Sequence, residues 1–145
     1  RNVYALDSRS GRLLWSFKGD GWFWAGPVSD GQDVFVASMG GTVYALSRSS
    51  GSLRWSFKGE PSAPIVSTPT IVGELVVVGN DGGDLYRLDV RDGDPVGGAM
   101  RLANKPIKAP LGRDGVMVFV GLEDNSVRGV NVEDWDEIWQ YPPER

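Results

Sequence analysis

The chain repeats itself at a near-constant interval. Val3-Tyr4-Ala5-Leu6 returns as Val43-Tyr44-Ala45-Leu46, then in weaker form as Leu85-Tyr86-Arg87-Leu88 and Val127-Arg128-Gly129-Val130. The tyrosine column steps from Tyr4 to Tyr44 to Tyr86 and ends on Arg128, at intervals of 40, 42 and 42 residues. A stable period of this size marks a repeat architecture. Each unit is one supersecondary element that cannot bury its own apolar faces, so stacked neighbours must build the core together.

Within each unit the apolar residues alternate or run in short groups bounded by Gly, Asp and Ser, which is a strand pattern. No long window carries a helical period. The 20 Gly and 9 Pro suit a chain that turns often. One complete unit spans 24–58, with strands predicted at 26–29, 34–38, 42–46 and 53–57. A second spans 65–103, with strands at 68–72, 75–79, 84–89 and a weak one near 99–103. A third spans 108–141, with strands at 109–111, 116–121, 126–131 and 137–141. Ahead of them, 1–17 supplies only the last two strands of another unit, at 2–7 and 13–17. Four short antiparallel strands per period are the signature of a β-propeller blade, with the first strand lining the channel and the fourth outermost. The predicted fold is therefore all-β: a partial propeller of about three and a half four-stranded blades. Uninterrupted runs such as Val76-Val77-Val78 fit strands covered on both faces.

The segment from Ala5 through Asp7 and Gly11 to Trp15 resembles the tryptophan-docking motif of the PQQ-like (quinoprotein-type) propellers. Ala45 to Trp55 repeats it with Ser47 in the aspartate column. Asp89 and Gly93 persist in the next unit, but its tryptophan column holds Gly97. Asn131 and Trp139 keep the eight-residue interval of Asp7 and Trp15. In style the repeats are closest to the BamB-like outer-membrane assembly lipoproteins. Asp7 is expected to bond the backbone of the following turn. Gly11 and Gly51 supply the positive φ of a tight hairpin. Trp15, Trp55 and Trp139 offer flat surfaces that lock one blade on the next.

Propellers close with roughly 4–8 blades. The chain is accordingly expected to be part of a larger ring, of seven or eight blades by family resemblance. The chain begins at Arg1 without Met, which reads as a piece of a longer protein or a processed product. The remaining blades are expected from the same longer chain or from another subunit. Simple two-fold closure is disfavoured, because no spare inner strands remain to pair with a partner's half-blade.

Loops joining a fourth strand to the next first strand share one propeller face with those joining second to third strands. This is the usual binding face of the family. Trp22-Phe23-Trp24 is the most unusual segment on it. If extended, the two tryptophans point one way and Phe23 the other. Trp22 and Phe23 are candidate partner-binding residues. Trp24, next to the first strand, is predicted to pack on the adjoining blade. Asp81, Asp84, Glu123 and Asp124 gather acidic charge on second-to-third-strand turns; no calcium-loop spacing is completed, so solvated turns rather than a cation site are expected, and Asp81, Glu123 and Asp124 join the candidate partner-binding residues. Asp89, Asp92 and Asp94 fall in a hairpin and read as turn formers. Lys105 and Lys108 flank Pro106 and are candidates to meet an acidic partner.

Composition removes several functions. With no Cys and no His, the chain has no disulfide, thiolate site or imidazole chemistry. A net charge of −4 with scattered basic residues argues against nucleic acid. No apolar stretch approaches a membrane span. Some PQQ-like propellers are dehydrogenases that hold the quinone and calcium, but their site motifs cannot be placed on this sequence. No catalytic, metal or cofactor site is expected. The resemblance implies a non-catalytic protein-binding or scaffold module, extracytoplasmic in setting. The alternatives are a fragment of a PQQ- and calcium-dependent dehydrogenase and a carbohydrate-binding propeller using Trp22.

Overall fold

The computed structural model describes residues 1–143, which form fourteen strands and no helix. A half-blade pairs β1 (Asn2–Leu6) with β2 (Leu13–Lys18). Blade I is β3 (Val28–Ser29), β4 (Asp33–Ala37), β5 (Thr42–Ser47) and β6 (Leu53–Lys58). Blade II is β7 (Thr70–Val72), β8 (Leu75–Gly79), β9 (Asp84–Asp89) and β10 (Met100–Arg101). Blade III is β11 (Gly112–Asp114), β12 (Met117–Gly121), β13 (Val127–Asn131) and β14 (Asp136–Tyr141). Each sheet pairs in sequence order and every pair is antiparallel. The result is an open partial propeller.

One strand lies away from its predicted place. The first strand of blade III was expected at 109–111 and forms at Gly112–Asp114. Pro110 has no N–H to give a ladder. Next to it, the Leu111 N–H goes to the Thr68 carbonyl of the neighbouring blade at 3.4 Å. The apolar residues that suggested a strand are instead a seam between blades, where Leu111 is buried. The last strand of blade II is short because Gly97 and Gly98 interrupt the outer edge before Met100.

The core is a series of apolar layers between blades. Val3, Trp15 and Phe17 of the half-blade pack on Val36, Tyr44 and Leu46 of blade I. Phe35, Val43, Ala45 and Trp55 pack on Val76, Val78, Tyr86 and Leu88 of blade II. Val77, Leu85 and Leu102 pack on Val118, Val120 and Val130 of blade III. Alternate residues of one strand thus belong to different layers, which is why the central strands read as unbroken apolar runs.

The tryptophan column fixes these layers. Trp15 Nε1 donates to the Arg48 carbonyl at 2.9 Å, and Trp55 Nε1 to the Val90 carbonyl at 2.9 Å. Their rings rest on Gly51 (φ +72°) and Gly93 (φ +76°), where a Cβ would collide with the indole. Between blades II and III the pair is inverted. Gly97 stands in the tryptophan column, and Trp135 (φ +58°) stands where Gly51 and Gly93 stand. Trp135 reaches back to donate to the Gly98 carbonyl at 2.8 Å. Arg87 covers the ring at 4.9 Å and donates to the Val132 carbonyl at 2.7 Å. Val132 is the counterpart of Arg48 and Val90, so a guanidinium makes the bond that an indole makes elsewhere. Asp7 holds its own hairpin, accepting the N–H groups of Arg9 and Ser10 and the Ser10 hydroxyl.

Candidate functional site

Three backbone hydrogen bonds recur at the same place in each repeat. The N–H groups of Met39, Asp81 and Glu123 donate to the carbonyls of Trp22, Pro64 and Pro106 at 2.8, 2.9 and 3.1 Å. Each joins a second-to-third-strand turn to the loop entering the same blade. Both loop sets therefore lie on one face of the propeller. The scaffold is repeated while the side chains on it are not. Trp24, Val66 and Lys108 occupy one equivalent position, and Met39, Asp81 and Glu123 another.

All of these positions but Glu123 line a concave strip crossing all three blades. A cavity of about 550 Å³ is bounded by Trp24, Met39, Val66, Thr68, Asp81, Lys108 and Pro110. That size falls within the range of ligand pockets, roughly 300–1,000 Å³. One end is apolar, formed by Trp24 and Met39. The other is charged, with Lys108 Nζ 3.0 Å from Glu123 Oε1. Asp81 stands between them. Its Oδ1 is buried without a hydrogen-bond partner. Burial pushes the Asp81 carboxyl up, Lys108 pulls it down, and Glu123 pushes it up again. The hydrogen bond that Lys108 donates to the Glu123 carboxylate raises the Lys108 ammonium.

The tryptophan loop is anchored from beneath by a residue that sequence reasoning passed over. Asp20 accepts the Ser38 hydroxyl at 2.6 Å and the Thr42 hydroxyl at 2.6 Å, with Lys58 Nζ at 3.5 Å. Its own N–H donates to the Tyr44 hydroxyl at 3.0 Å. Burial alone would raise this carboxyl. The donors Ser38, Thr42, Tyr44 and Lys58 outweigh it and hold Asp20 down at about 2.

The family model for the outer membrane protein assembly factor BamB matches residues 1–96. The chain belongs to the BamB family of PQQ-like propellers. Among solved structures it is similar to BamB from Moraxella catarrhalis, with a TM-score of 0.76 and 20% identity over 90% of this chain and 40% of that one. It is also similar to the computationally designed Ika4 (TM-score 0.79, 20% identity, 90% and 79% of the two chains). The designed Ika8 matches at a TM-score of 0.79 and 19% identity, over 93% and 41%. At such identities the likeness is one of fold. The chain spans 40% of the length of the Moraxella structure. No curated protein matches the sequence.

Against this BamB-family frame, the residues singled out from sequence separate. Trp22 and Trp24 both face solvent, whereas Phe23 turns under and meets Tyr44 edge-on at 6.0 Å. Trp24 was expected to pack on the adjoining blade. At 77% exposure it does not, because the packing role beside it falls to buried Ala25 and to Phe23. Phe23, expected among the partner-binding residues, is a buttress of the loop. Asp84 is not part of an open acidic turn: it is buried and paired with Arg101 through two bonds of 2.8 and 2.9 Å. Asp124 accepts the Ser126 hydroxyl and N–H, which hold it below the usual carboxylate range. Asp89 pairs with Arg91, and Asp92 accepts the Asp94 N–H. Lys105 is exposed, outside the cavity lining. Among the described residues, no three acidic side chains converge on a point suited to a metal. Met39 and Val66, on loops that the sequence already assigns to this face, were not singled out, and Thr68 and Pro110 were missed. Adding the 42-residue period to Trp24 and subtracting it from Asp81 would have found Val66 and Met39.

Proposed function

We propose that this chain is a non-catalytic, protein-binding propeller module acting outside the cytoplasm. Its site is the three-blade strip, and its ligand is an extended protein segment. The carrying observation is the exposed Trp24 indole and the Asp81 carboxylate lining one strip. An extended segment rises about 3.3 Å per residue. One apolar side chain on Trp24 and Met39 then allows a Lys or Arg a few residues on to meet Asp81. Exposed Trp is a favoured binding anchor, and the acidic balance of the chain favours a cationic ligand. The BamB family match and the name of the Moraxella relative support protein assembly as the setting.

The donor set disfavours the dehydrogenase alternative. A calcium ion wants six to eight oxygen ligands, and the lining offers Asp81 as its single carboxylate. The only cationic side chain there, Lys108, is already paired with Glu123.

Selection of unstructured peptides from a display library on the chain tests this reading. The expected winners pair an apolar residue with a nearby Lys or Arg, and lose about tenfold in affinity (about 1.4 kcal/mol) with Trp24→Ala. Failure to select peptides, together with saturable binding of PQQ and calcium or of a glycan that depends on Trp22, would replace it.

A further inference from the structure

The repeat sets one loop residue of each blade beside the turn of the blade before it. Ile65 donates its N–H to the Ser38 carbonyl at 3.1 Å, and Ile107 donates to the Asn80 carbonyl at 3.2 Å. The next residues along, Val66 and Lys108, therefore stand beside Met39 and Asp81 across the seams, and all four line the strip. Ile107 also bridges Leu122 on the turn of its own blade, which brings Lys108 beside Glu123. The backbone thus places Lys108 between two carboxylates, one on blade II and one on blade III.

The two carboxylates are not equivalent. Lys108 Nζ donates to Glu123 Oε1 at 3.0 Å. The side chains of that pair are 52% and 53% exposed, so the pair is weak enough to exchange. Asp81 is partly buried, and it is the carboxylate that lines the cavity. Burial is the largest influence raising the Asp81 carboxyl; the Lys108 charge lowers it and the Glu123 charge raises it. Lys108 is raised first by its bond to Glu123 and, more weakly, by the Asp81 charge. One ammonium serves both acids, and its flexible stem with three donors can turn to either.

We propose that Glu123 is a positioning residue of the strip: it holds Lys108 away from Asp81 and so keeps that carboxylate open to a cationic side chain of the bound segment. The proposal rests on the reading of the strip as a site for a protein segment. Lys108 is the built-in competitor of the ligand's Lys or Arg, and Glu123 restrains the competitor without touching the ligand.

The experiment is a double-mutant cycle on the full chain, with Glu123→Gln, Lys108→Met and both together. The probe is a blocked peptide of Leu-Thr-Lys-Thr repeated three times, with Gln in place of Lys as the control. Glu123→Gln frees Lys108 for Asp81 and weakens binding of the lysine peptide by roughly threefold, and Lys108→Met tightens it by about as much. In the Lys108→Met background Glu123→Gln has no further effect, because it acts through Lys108. The tight binding of the double variant shows that both substitutions leave the chain folded. Equal effects of Glu123→Gln with and without Lys108 would mean simple loss of a surface charge and overturn the proposal. A second readout needs no ligand. Followed by NMR, the titration midpoint of the Asp81 carboxyl falls in Glu123→Gln, and falls further when Lys108 is present than in Lys108→Met. Equal falls overturn the hold on Lys108 even where the peptide binds. Unequal falls with no peptide bound by any of the four proteins overturn the strip as a peptide site instead, so the two failures are told apart.

Discussion

Three glycines in one column make a controlled comparison. Gly11, Gly51 and Gly93 have φ of +71°, +72° and +76°, so alanine at any of them meets nearly the same backbone cost, about 1 kcal/mol. What differs is the tryptophan overhead. At Gly11 a Cβ meets nothing within 4 Å. At Gly51 it falls 2.5 Å from Cδ2 and Cε3 of Trp15. Trp15 is only half-buried at the open end of the stack and can lift, giving up its bond to Arg48 and some packing, another ~1–2 kcal/mol. At Gly93 the collision is with Trp55, which is buried and backed by Phe35. It has no room to lift, and overpacking adds ~2–3 kcal/mol. The expected order of destabilisation at low protein concentration is about 1 kcal/mol for Gly11→Ala, about 2–3 for Gly51→Ala and about 3–4 for Gly93→Ala. For a chain of this size the first and last should differ by roughly 5–10 °C in Tm. Circular-dichroism melts and urea titrations read both quantities. If all three variants lose the same stability, the indole seat is not what makes glycine necessary, and the cost is backbone strain alone.

Arg87→Ala removes two bonds from Nη1, to the Val132 and Glu133 carbonyls, a third from Nε to Val96, and the cover over Trp135. We expect a loss of about 2–3 kcal/mol, with hydrogen exchange rising first in β10 and β13; uniform exchange across all blades would contradict the local role. Asp20 falls from its ordinary 3.8 to about 2 on folding. Its contribution is therefore complete above pH 3.8 and lost as pH falls through about 2. Wild type should shed more stability than Asp20→Asn between those two values, and parallel acid-denaturation curves would remove Asp20 as the loop's anchor.

Fold was legible where the same physical job recurs. The period, the strand quartets and the Asp–Gly–Trp spacing each report a backbone or packing demand that every blade must meet. Side chains at the binding face meet no shared demand, so pattern alone misplaced them. Trp24 looked like core because it adjoins a strand, yet the alternation of Trp22-Phe23-Trp24 already put both indoles on one side and Phe23 on the other. Asp84 looked like a free turn acid because its partner Arg101 lies across β9 and β10, a pairing visible only in register. Asp20 gave no signal, since its hydroxyl neighbours Ser38, Thr42 and Tyr44 come from β5 and the turn before it.

The inverted seat between blades II and III bears on how the repeat order is kept. If every interface used the same tryptophan and glycine, any blade could dock on any other, and misassembly between repeats is a characteristic failure of such proteins. Here Gly97 cannot fill a tryptophan seat, and Trp135, which stands in the glycine column, leaves no seat for a second indole. Blade II therefore fits blade III through Arg87 and Trp135, and the Trp135 side of blade III makes a poor seat for Trp15 or Trp55. A loss of motif in the sequence is, in three dimensions, a second lock of different shape. Because Arg87 covers the Trp135 ring, Arg87→Ala and Trp135→Gly together should cost less than the sum of the two single losses, the mark of a coupled pair. Additive losses in a double-mutant cycle would show that the two residues do not form one device.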